Sequence, residues 1–190
     1  MLKTIDINGN PHIGIFCRVS NEYAIVSSDV SSRVIKTIEK ILNVKTIKTT
    51  VCGTSLIGPL TVMNSHGVLV PEYVTDKELD VLESVLNVGI ISDKLNAIGN
   101  NVVVNDKAAL VHPSLSSKTI RMIEKKLSVN VMKGEIAGMR TVGSVCVATN
   151  KGILCHPKAQ MEEIKKIENL FNLPVSPCTV NYGSALLGIG

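Results

Sequence analysis

Hydrophobic and polar positions alternate in the same order, unit after unit, along most of this chain. In the unit that follows Gly58, the apolar residues 60–63 predict a strand, and residues 64–67 predict a turn into a second strand at 68–70. Asn and Gly tolerate positive φ, which favours a tight hairpin connection. Pro71 ends the second strand, because proline cannot donate a hydrogen bond to a sheet. The pattern therefore predicts an antiparallel hairpin.

A helix and a third strand are predicted after this hairpin. Thr75 and Glu78 have the spacing of a capping box, which opens a helix. Apolar residues then recur at helical spacing, at Leu79, Leu82, Val85 and Leu86. Residues 88–91 form a β-prone run. The predicted unit is strand, strand, helix, strand.

The same order is predicted in three further units. Their hairpin strands are predicted at 16–19 and 23–26, at 102–104 and 109–111, and at 145–147 and 153–154. Their helices carry inward apolar residues at Val34, Ile38, Ile41 and Leu42, at Ile120, Ile123 and Leu127, and at Ile164, Ile167 and Phe171.

One glycine per unit sets the period. A short segment that ends in an apolar residue followed by glycine occurs five times. The spacings between these glycines are 44, 41, 44 and 45 residues. A repeat of this length is typical of units that bury their apolar faces by stacking on neighbours. We expect these repeat glycines to be structural, because a close approach of two units requires a missing side chain. The repeat glycines are Gly14, Gly58, Gly99, Gly143 and Gly188.

The chain is therefore predicted to be one α/β repeat domain, spanning residues 1–190. The units are expected at about 8–51, 52–93, 94–136 and 137–181, with a partial fifth unit at 182–190. Residues 2–7 resemble the strand predicted at 47–51 and are interpreted as the closing strand of the last unit. On this interpretation the fifth repeat is incomplete.

Composition excludes several classes of protein. Apolar residues make up 45% of the chain and charged residues 19%, which is typical of a folded globular protein. No apolar run approaches the ~18 residues of a membrane helix, and no secretion signal is visible, so a cytoplasmic location is expected. The net charge of +4 permits contact with an acidic assembly. With no tryptophan and 3% aromatic residues, no platform for stacking bases is expected.

Candidate catalytic and metal-binding residues are few. His112 and His156 are each followed by proline at the same place in successive units, so repeat construction explains them and no metal is expected. Residues 53–58 have the glycine spacing of a phosphate loop, but Pro59 stands where such a loop needs lysine. No cofactor is expected. The cysteines are odd in number and scattered, which suits free thiols; Cys146 and Cys155 could face each other across a hairpin but are expected to be reduced.

Several polar residues have both a structural and a functional interpretation. Asn64, Asn105 and Asn150 fall at predicted hairpin turns, where turn chemistry alone explains them. Asn100 follows a repeat glycine, and either a contact role or a structural role is open. The basic residues on the outer faces of two helices are interpreted as solvated surface; they are Lys118, Arg121, Lys125, Lys126, Lys165 and Lys166.

The five repeats and five sequence strings together resemble the translation initiation factor 6 family of archaea and eukaryotes, the ribosome anti-association factors. The strings are GTSLIG at 53–58, NSHGVLVP at 64–71, LNAIGN at 95–100, ALVHP at 109–113 and TVNYGS at 179–184. The resemblance covers the whole chain. It implies a pentein-type α/β propeller, in which ββαβ-like repeats surround a pseudo-fivefold axis with the helices outermost.

The resemblance also implies a function. A family member binds the large (50S) ribosomal subunit, sterically prevents premature association with the small (30S) subunit, and has a role in large-subunit maturation. The implied partner is mainly a ribosomal protein near the factor-binding rRNA loop, with a minor contact to rRNA, and the protein is expected to act as a monomer without catalysis. The ribosome-binding residues that it implies are Pro59, Asn64, Asn100, Ser144 and Val145. Pro59 and Val145 depart from the arginine and the aromatic residue that family members often carry there.

Two other functions remain open at this point. Pentein enzymes that act on guanidino groups use a Cys nucleophile and a His base. In this chain Cys178 with His112 or His156 would be the candidates, although these enzymes place the nucleophile late in the last unit. The second alternative is a generic scaffold that holds another acidic complex.

Overall fold

Four small sheets of identical topology make up the β structure of this protein. The computed structural model describes residues 4–189. In each sheet the first two strands pair antiparallel, and the third pairs parallel to the second. The sheets comprise β1 (Cys17–Val19), β2 (Tyr23–Ser27) and β3 (Lys45–Thr49); β4 (Val62–Met63), β5 (Val68–Pro71) and β6 (Val88–Ile91); β7 (Val102–Val104), β8 (Ala108–Val111) and β9 (Asn130–Lys133); and β10 (Cys146–Ala148), β11 (Ile153–Cys155) and β12 (Val175–Pro177).

One long helix lies between the second and third strands of every sheet, so the predicted order of strand, strand, helix, strand is found four times. The fold is mixed α/β, and the four equivalent sheets fit a repeat. The long helices are α1 (Ser32–Leu42), α3 (Asp76–Glu83), α5 (Ser117–Leu127) and α7 (Met161–Phe171). Three of them end at a residue in the left-handed conformation, which terminates a helix; these residues are Asn43, Ser128 and Asn172.

Short helices precede the hairpins and were not predicted. One-turn helices occur at α2 (Ile57–Leu60), α4 (Ile98–Asn101) and α6 (Val142–Val145), and 3₁₀ turns at Ile13–Ile15 and Leu187–Ile189. Each begins at the apolar residue before a repeat glycine. The strand predictions at 60–63 and 145–147 therefore start too early, because part of each apolar run is helical.

The inward faces of the long helices were mostly predicted correctly. Leu82, Ile123 and Phe171 are fully buried. Two predicted inward residues are wrong: Leu42 is 49% exposed and Val85 is 43% exposed. Leu42 is the last residue of α1, and Val85 lies beyond the end of α3, so neither is held against a sheet.

Apolar clusters join adjacent units. Ile25 and Ile47 of the first unit share a cluster with Leu82 of the second, and α3 packs against β3. In the same way, α5 packs against β5 and β6, and α7 packs against β8. The helix of one unit thus covers the sheet of the unit before it, so neighbouring units share their cores.

The repeat glycines pack directly against the backbone of neighbouring units. A Cβ atom on Gly58 would overlap the carbonyl oxygen of Gly14, one on Gly99 that of Gly58, and one on Gly143 that of Gly99. A Cβ on Gly188 would overlap the oxygen of Gly143, and one on Gly14 would lie 2.7 Å from the oxygen of Gly188. The contacts therefore run from each repeat glycine to the next, and from the last back to the first.

The predicted closing strand at 2–7 is not found in the described part of the chain. Leu2 and Lys3 lie outside the described residues, and residues 4–6 have no regular secondary structure. Ile7 forms an isolated bridge with Asn10 across a tight turn, in which Asn8 and Gly9 have φ of 54° and 79°. The backbone N–H and C=O of Ile7 are thus bonded to Asn10 within this turn.

Carboxylates fix the start of the helices to nearby loops. Glu78 accepts hydrogen bonds from the backbone N–H groups of Cys52 (3.1 Å) and Gly53 (2.9 Å). Asp93 accepts from the N–H of Ser116 (3.1 Å) and from Oγ1 of Thr119 (2.6 Å). Burial raises the pKa of Asp93, but these hydrogen bonds outweigh it and lower the pKa to about 2.

We expect Gly99→Ala to destabilise the protein by about 1–3 kcal/mol or more, because the new methyl group would enter the space of backbone atoms. Besides the Gly58 oxygen, it would lie 2.7 Å from the carbonyl oxygen of Thr61. Urea unfolding measures the change. Gly152→Ala is the control, since its methyl group would approach no atom closer than 3.6 Å. Equal stability changes in the two variants would contradict the close glycine contact.

We expect Asp93→Asn to remove a contribution to stability that depends on pH. The folded pKa of Asp93 is lowered to about 2, so its contribution is present above about pH 4 and is lost as the pH falls towards about 2. In urea unfolding at a series of pH values, wild type and variant should therefore converge at the acid end. Asp80→Asn is the matched control, at an exposed position on α3 where the side chain makes no hydrogen bond within the described residues, and it should change the free energy of unfolding by less than about 0.5 kcal/mol. A constant difference between wild type and Asp93→Asn at all pH values would contradict this role.

Candidate functional site

The residues that directly follow the repeat glycines form a row, which we call the glycine edge. It consists of Ile15, Pro59, Asn100, Ser144 and Ile189, and all five are partly exposed. A Cβ on Gly143 would lie 3.1 Å from the carbonyl carbon of Asn100, and one on Gly188 would lie 3.1 Å from Cα of Ser144. Each of these two residues therefore borders the glycine of the next unit.

Two buried side chains on the core side of the one-turn helices stabilise the backbone of the glycine edge. Thr61 Oγ1 donates to the carbonyl oxygen of Ile57 at 2.7 Å, and Asn101 Nδ2 donates to that of Ala97 at 2.8 Å. Both side chains thus bind back to the residue four positions earlier and close the turn of α2 or α4. The backbone that carries Pro59 and Asn100 is fixed from within the protein.

Two of the predicted site residues are buried. Val145, the last residue of α6, has no exposed surface, and Asn64 is 4% exposed. Asn64 Nδ2 donates to the carbonyl oxygens of Asn105 (3.1 Å) and Leu127 (2.8 Å), and its Oδ1 accepts from the N–H of His66 (2.9 Å). The structure thus brings Pro59, Asn100 and Ser144 together on the glycine edge and holds Asn64 and Val145 inside.

A second group of polar residues joins the hairpin turns of the four units, and we call it the turn network. Asp106 accepts from Oγ and N–H of Ser65 (both 2.8 Å), from Nδ2 of Asn21 (2.9 Å) and from Nδ2 of Asn150 (2.6 Å). Burial raises the pKa of Asp106, but these donors outweigh it and lower the pKa. Asn105, at 5% exposure, donates to the carbonyl oxygen of Thr149.

Sequence reasoning explained the hairpin asparagines by turn chemistry and missed the turn network. The available signal was the occurrence of a hydrogen-bonding side chain at the same place in every hairpin, at Asn21, Ser65, Asp106 and Asn150. Residues in equivalent places of stacked units become neighbours, so their side chains can bind one another.

The sequence model described as the eIF-6 family matches residues 2–190. The chain belongs to the eIF-6 family. It is 39% identical to "Translation initiation factor 6" of Methanosarcina mazei over 190 residues, which covers all of this chain and 86% of the relative. It is 37% identical to the protein of that name from Haloquadratum walsbyi over 184 residues, covering 96% of this chain and 81% of the relative. It is also 36% identical to "Eukaryotic translation initiation factor 6" of Tetrahymena thermophila over 196 residues, which covers all of this chain and 80% of the relative.

Each of the two histidines of this eIF-6 family chain accepts a hydrogen bond from a backbone N–H group two residues later. His112 Nδ1 accepts from the N–H of Ser114 at 3.0 Å, and His156 Nδ1 accepts from the N–H of Lys158 at 3.1 Å. Burial lowers the pKa of His112, and the charge of Arg140 lowers it further. Among residues 4–189, no group of three His, Cys, Asp or Glu side chains could hold a metal ion.

The thiols lack the environment of a nucleophile. Burial raises the pKa of Cys17 and Cys155 to about 11, and it also raises the pKa of Cys146 and Cys178. An activated cysteine needs the opposite shift. Cys146 lies opposite Cys155 across the hairpin of β10 and β11, and both are free thiols.

Within residues 4–189, no helix is long and apolar enough to cross a membrane.

We expect Asn64→Ala to destabilise the protein by about 1–3 kcal/mol, because two buried carbonyl groups would lose their donor. Urea unfolding measures the loss. Asn96→Ala is the matched control, since Asn96 is exposed and its side chain makes no hydrogen bond within the described residues. A change below about 0.5 kcal/mol for Asn64→Ala would show that its amide does not hold the units together.

Proposed function

We propose that this protein is a translation initiation factor that binds the large (50S) ribosomal subunit and sterically prevents its premature association with the small (30S) subunit. A role in maturation of the large subunit belongs to the same proposal, as does a cytoplasmic location. Membership of the eIF-6 family supports it, together with relatives named translation initiation factor 6 at 33–40% identity. The mechanism is occlusion: the bound body fills space that the second subunit would need, and no bond is made or broken.

We propose further that the units form a pentein-type propeller around a pseudo-fivefold axis. Four sheets of one topology support this arrangement, as do the contacts that join each repeat glycine to the next. The contact between Gly14 and Gly188 supports a closed circuit of five members. Such a body would be rigid, because every unit shares its apolar core with a neighbour.

The single observation that carries the proposal is the glycine edge. Pro59, Asn100 and Ser144 occupy equivalent positions on consecutive one-turn helices, where they are partly exposed on a fixed backbone. A pre-organised surface loses little conformational entropy on binding. We propose that these three residues contact the large subunit and that Asn64 and Val145 act indirectly, by holding the neighbouring units in place.

The chemistry of the glycine edge favours a protein partner over rRNA. None of its five residues is charged, whereas rRNA contacts depend mainly on lysine and arginine at phosphates. Pro59 and the isoleucines offer apolar area, and Asn100 and Ser144 offer hydrogen-bonding groups. We propose that the main partner is a ribosomal protein near the factor-binding rRNA loop, with a minor contact to rRNA and the protein acting as a monomer.

We expect Asn100→Arg to weaken binding to the large subunit while leaving the free energy of unfolding within about 0.5 kcal/mol of wild type. The long charged side chain would obstruct the glycine edge without entering the core. Co-sedimentation of the full chain with purified large subunits measures binding. Asn169→Arg is the matched control, on the exposed face of α7.

Two outcomes would contradict these proposals separately. If the wild-type protein sediments with neither subunit, the proposed function is wrong. If Asn100→Arg and Asn169→Arg both bind like wild type, the function stands and the glycine edge is not the contact surface.

A further inference from the structure

A cavity of about 370 Å³ lies between the first strands of the four sheets. Its walls are mainly apolar and include Val19, Val62, Val103 and Val147. Repeat glycines line it as well, at Gly14, Gly143 and Gly188. The cavity is therefore lined by equivalent parts of successive units.

One cation faces this space. Arg18, in the middle of β1, lines the cavity, and its Nη2 donates to the carbonyl oxygen of Gly58 at 2.5 Å. Its Nε is buried and has no hydrogen-bond partner among residues 4–189. Burial lowers the pKa of this guanidinium, yet an arginine in a protein keeps its charge. The guanidinium thus carries a positive charge, and only part of its hydrogen-bonding capacity is used within the described residues.

Arg18 has no acidic counterpart within the described residues. The ion pair found there joins Arg140 to Glu135, both on the surface. Asp106 is the other charged residue of the cavity wall, but the turn network already supplies its donors. The thiol of Cys17, beside Arg18, is neutral because burial raises its pKa to about 11.

We propose that this cavity binds a small oxyanion, such as phosphate or a short carboxylate, against the guanidinium of Arg18. A buried charge is costly unless a group of opposite charge is near it. The planar guanidinium suits oxyanions, since it can present parallel N–H donors to two oxygens. The volume exceeds that of a phosphate ion, and the apolar wall provides room for the hydrocarbon part of a carboxylate.

The site is separate from the proposed subunit contact and has a consequence for stability. Arg18 belongs to the first unit, binds the backbone of the second, and lies next to the third, since a Cβ on Gly99 would be 2.9 Å from Nη2. An anion that neutralises Arg18 therefore stabilises the junction of three units.

Thermal unfolding of the full chain tests the proposal. Sodium phosphate and sodium acetate are titrated separately against sodium chloride at constant ionic strength. We expect at least one of them to raise Tm saturably, by about 5 °C once the anion is far above its Kd. The two titrations distinguish phosphate from carboxylate. Arg18→Met should lose this rise, and Arg33→Met, at an exposed position on α1, should keep it.

A measurement on the wild-type protein keeps the test independent of the variants' folding. We expect the ³¹P line of inorganic phosphate to broaden on addition of protein if phosphate is bound, or the ¹³C line of labelled acetate if acetate is bound. A molar excess of a competing oxyanion, or of unlabelled acetate in the ¹³C measurement, should reverse the broadening. Absence of both the saturable Tm rise and the line broadening would overturn the proposal. An equal rise in Arg18→Met would also overturn it, by indicating an adventitious ion only.

Discussion

Glycine packed against a backbone carbonyl is the contact on which the rest of this structure depends. At each of the five repeat glycines a single additional methyl group would collide with a neighbouring unit or press tightly against it. This approach brings the one-turn helices side by side and sets the spacing of the strands that follow them. It also fixes the glycine edge, whose residues are next in sequence. A surface built on such contacts has little freedom to adapt, so it suits recognition of one preformed partner.

Shared cores and polar links reinforce this central contact. Each long helix from α3 onward packs on strands of the preceding unit, so three of the four apolar clusters in the described residues span two units. Around the hairpins, Asp106 collects donors from three other turns. At the helix starts, Glu78 of α3 binds backbone N–H groups of a loop, and Asp93 in a loop binds the N–H of Ser116, the N-cap of α5. The stability of any one unit therefore depends on its neighbours, as is usual for repeat proteins.

Local patterns were sufficient to predict the order of elements in each unit. Turn residues marked the hairpins, and the capping box at Thr75 and Glu78 marked the start of a helix, because both signals act over a few residues. The one-turn helices were missed because a four-residue apolar segment has no periodicity that separates helix from strand. Burial of Asn64 and Val145 could not be predicted, since the neighbouring units that cover them come from distant parts of the chain. Arg18 was missed for the same reason: in sequence it is an ordinary strand cation, and only the packing of several units encloses it.

These features support the proposed function, in which a rigid repeat body would present an uncharged edge to the large ribosomal subunit and would block the other subunit by its bulk. The joining of the two subunits, monitored by light scattering, tests this central claim most directly. Large subunits preincubated with the full chain are mixed with small subunits, and the amplitude of joining is recorded against protein concentration. The account predicts that the amplitude falls as the large subunits become saturated. Undiminished joining on large subunits that demonstrably carry the bound protein would contradict it.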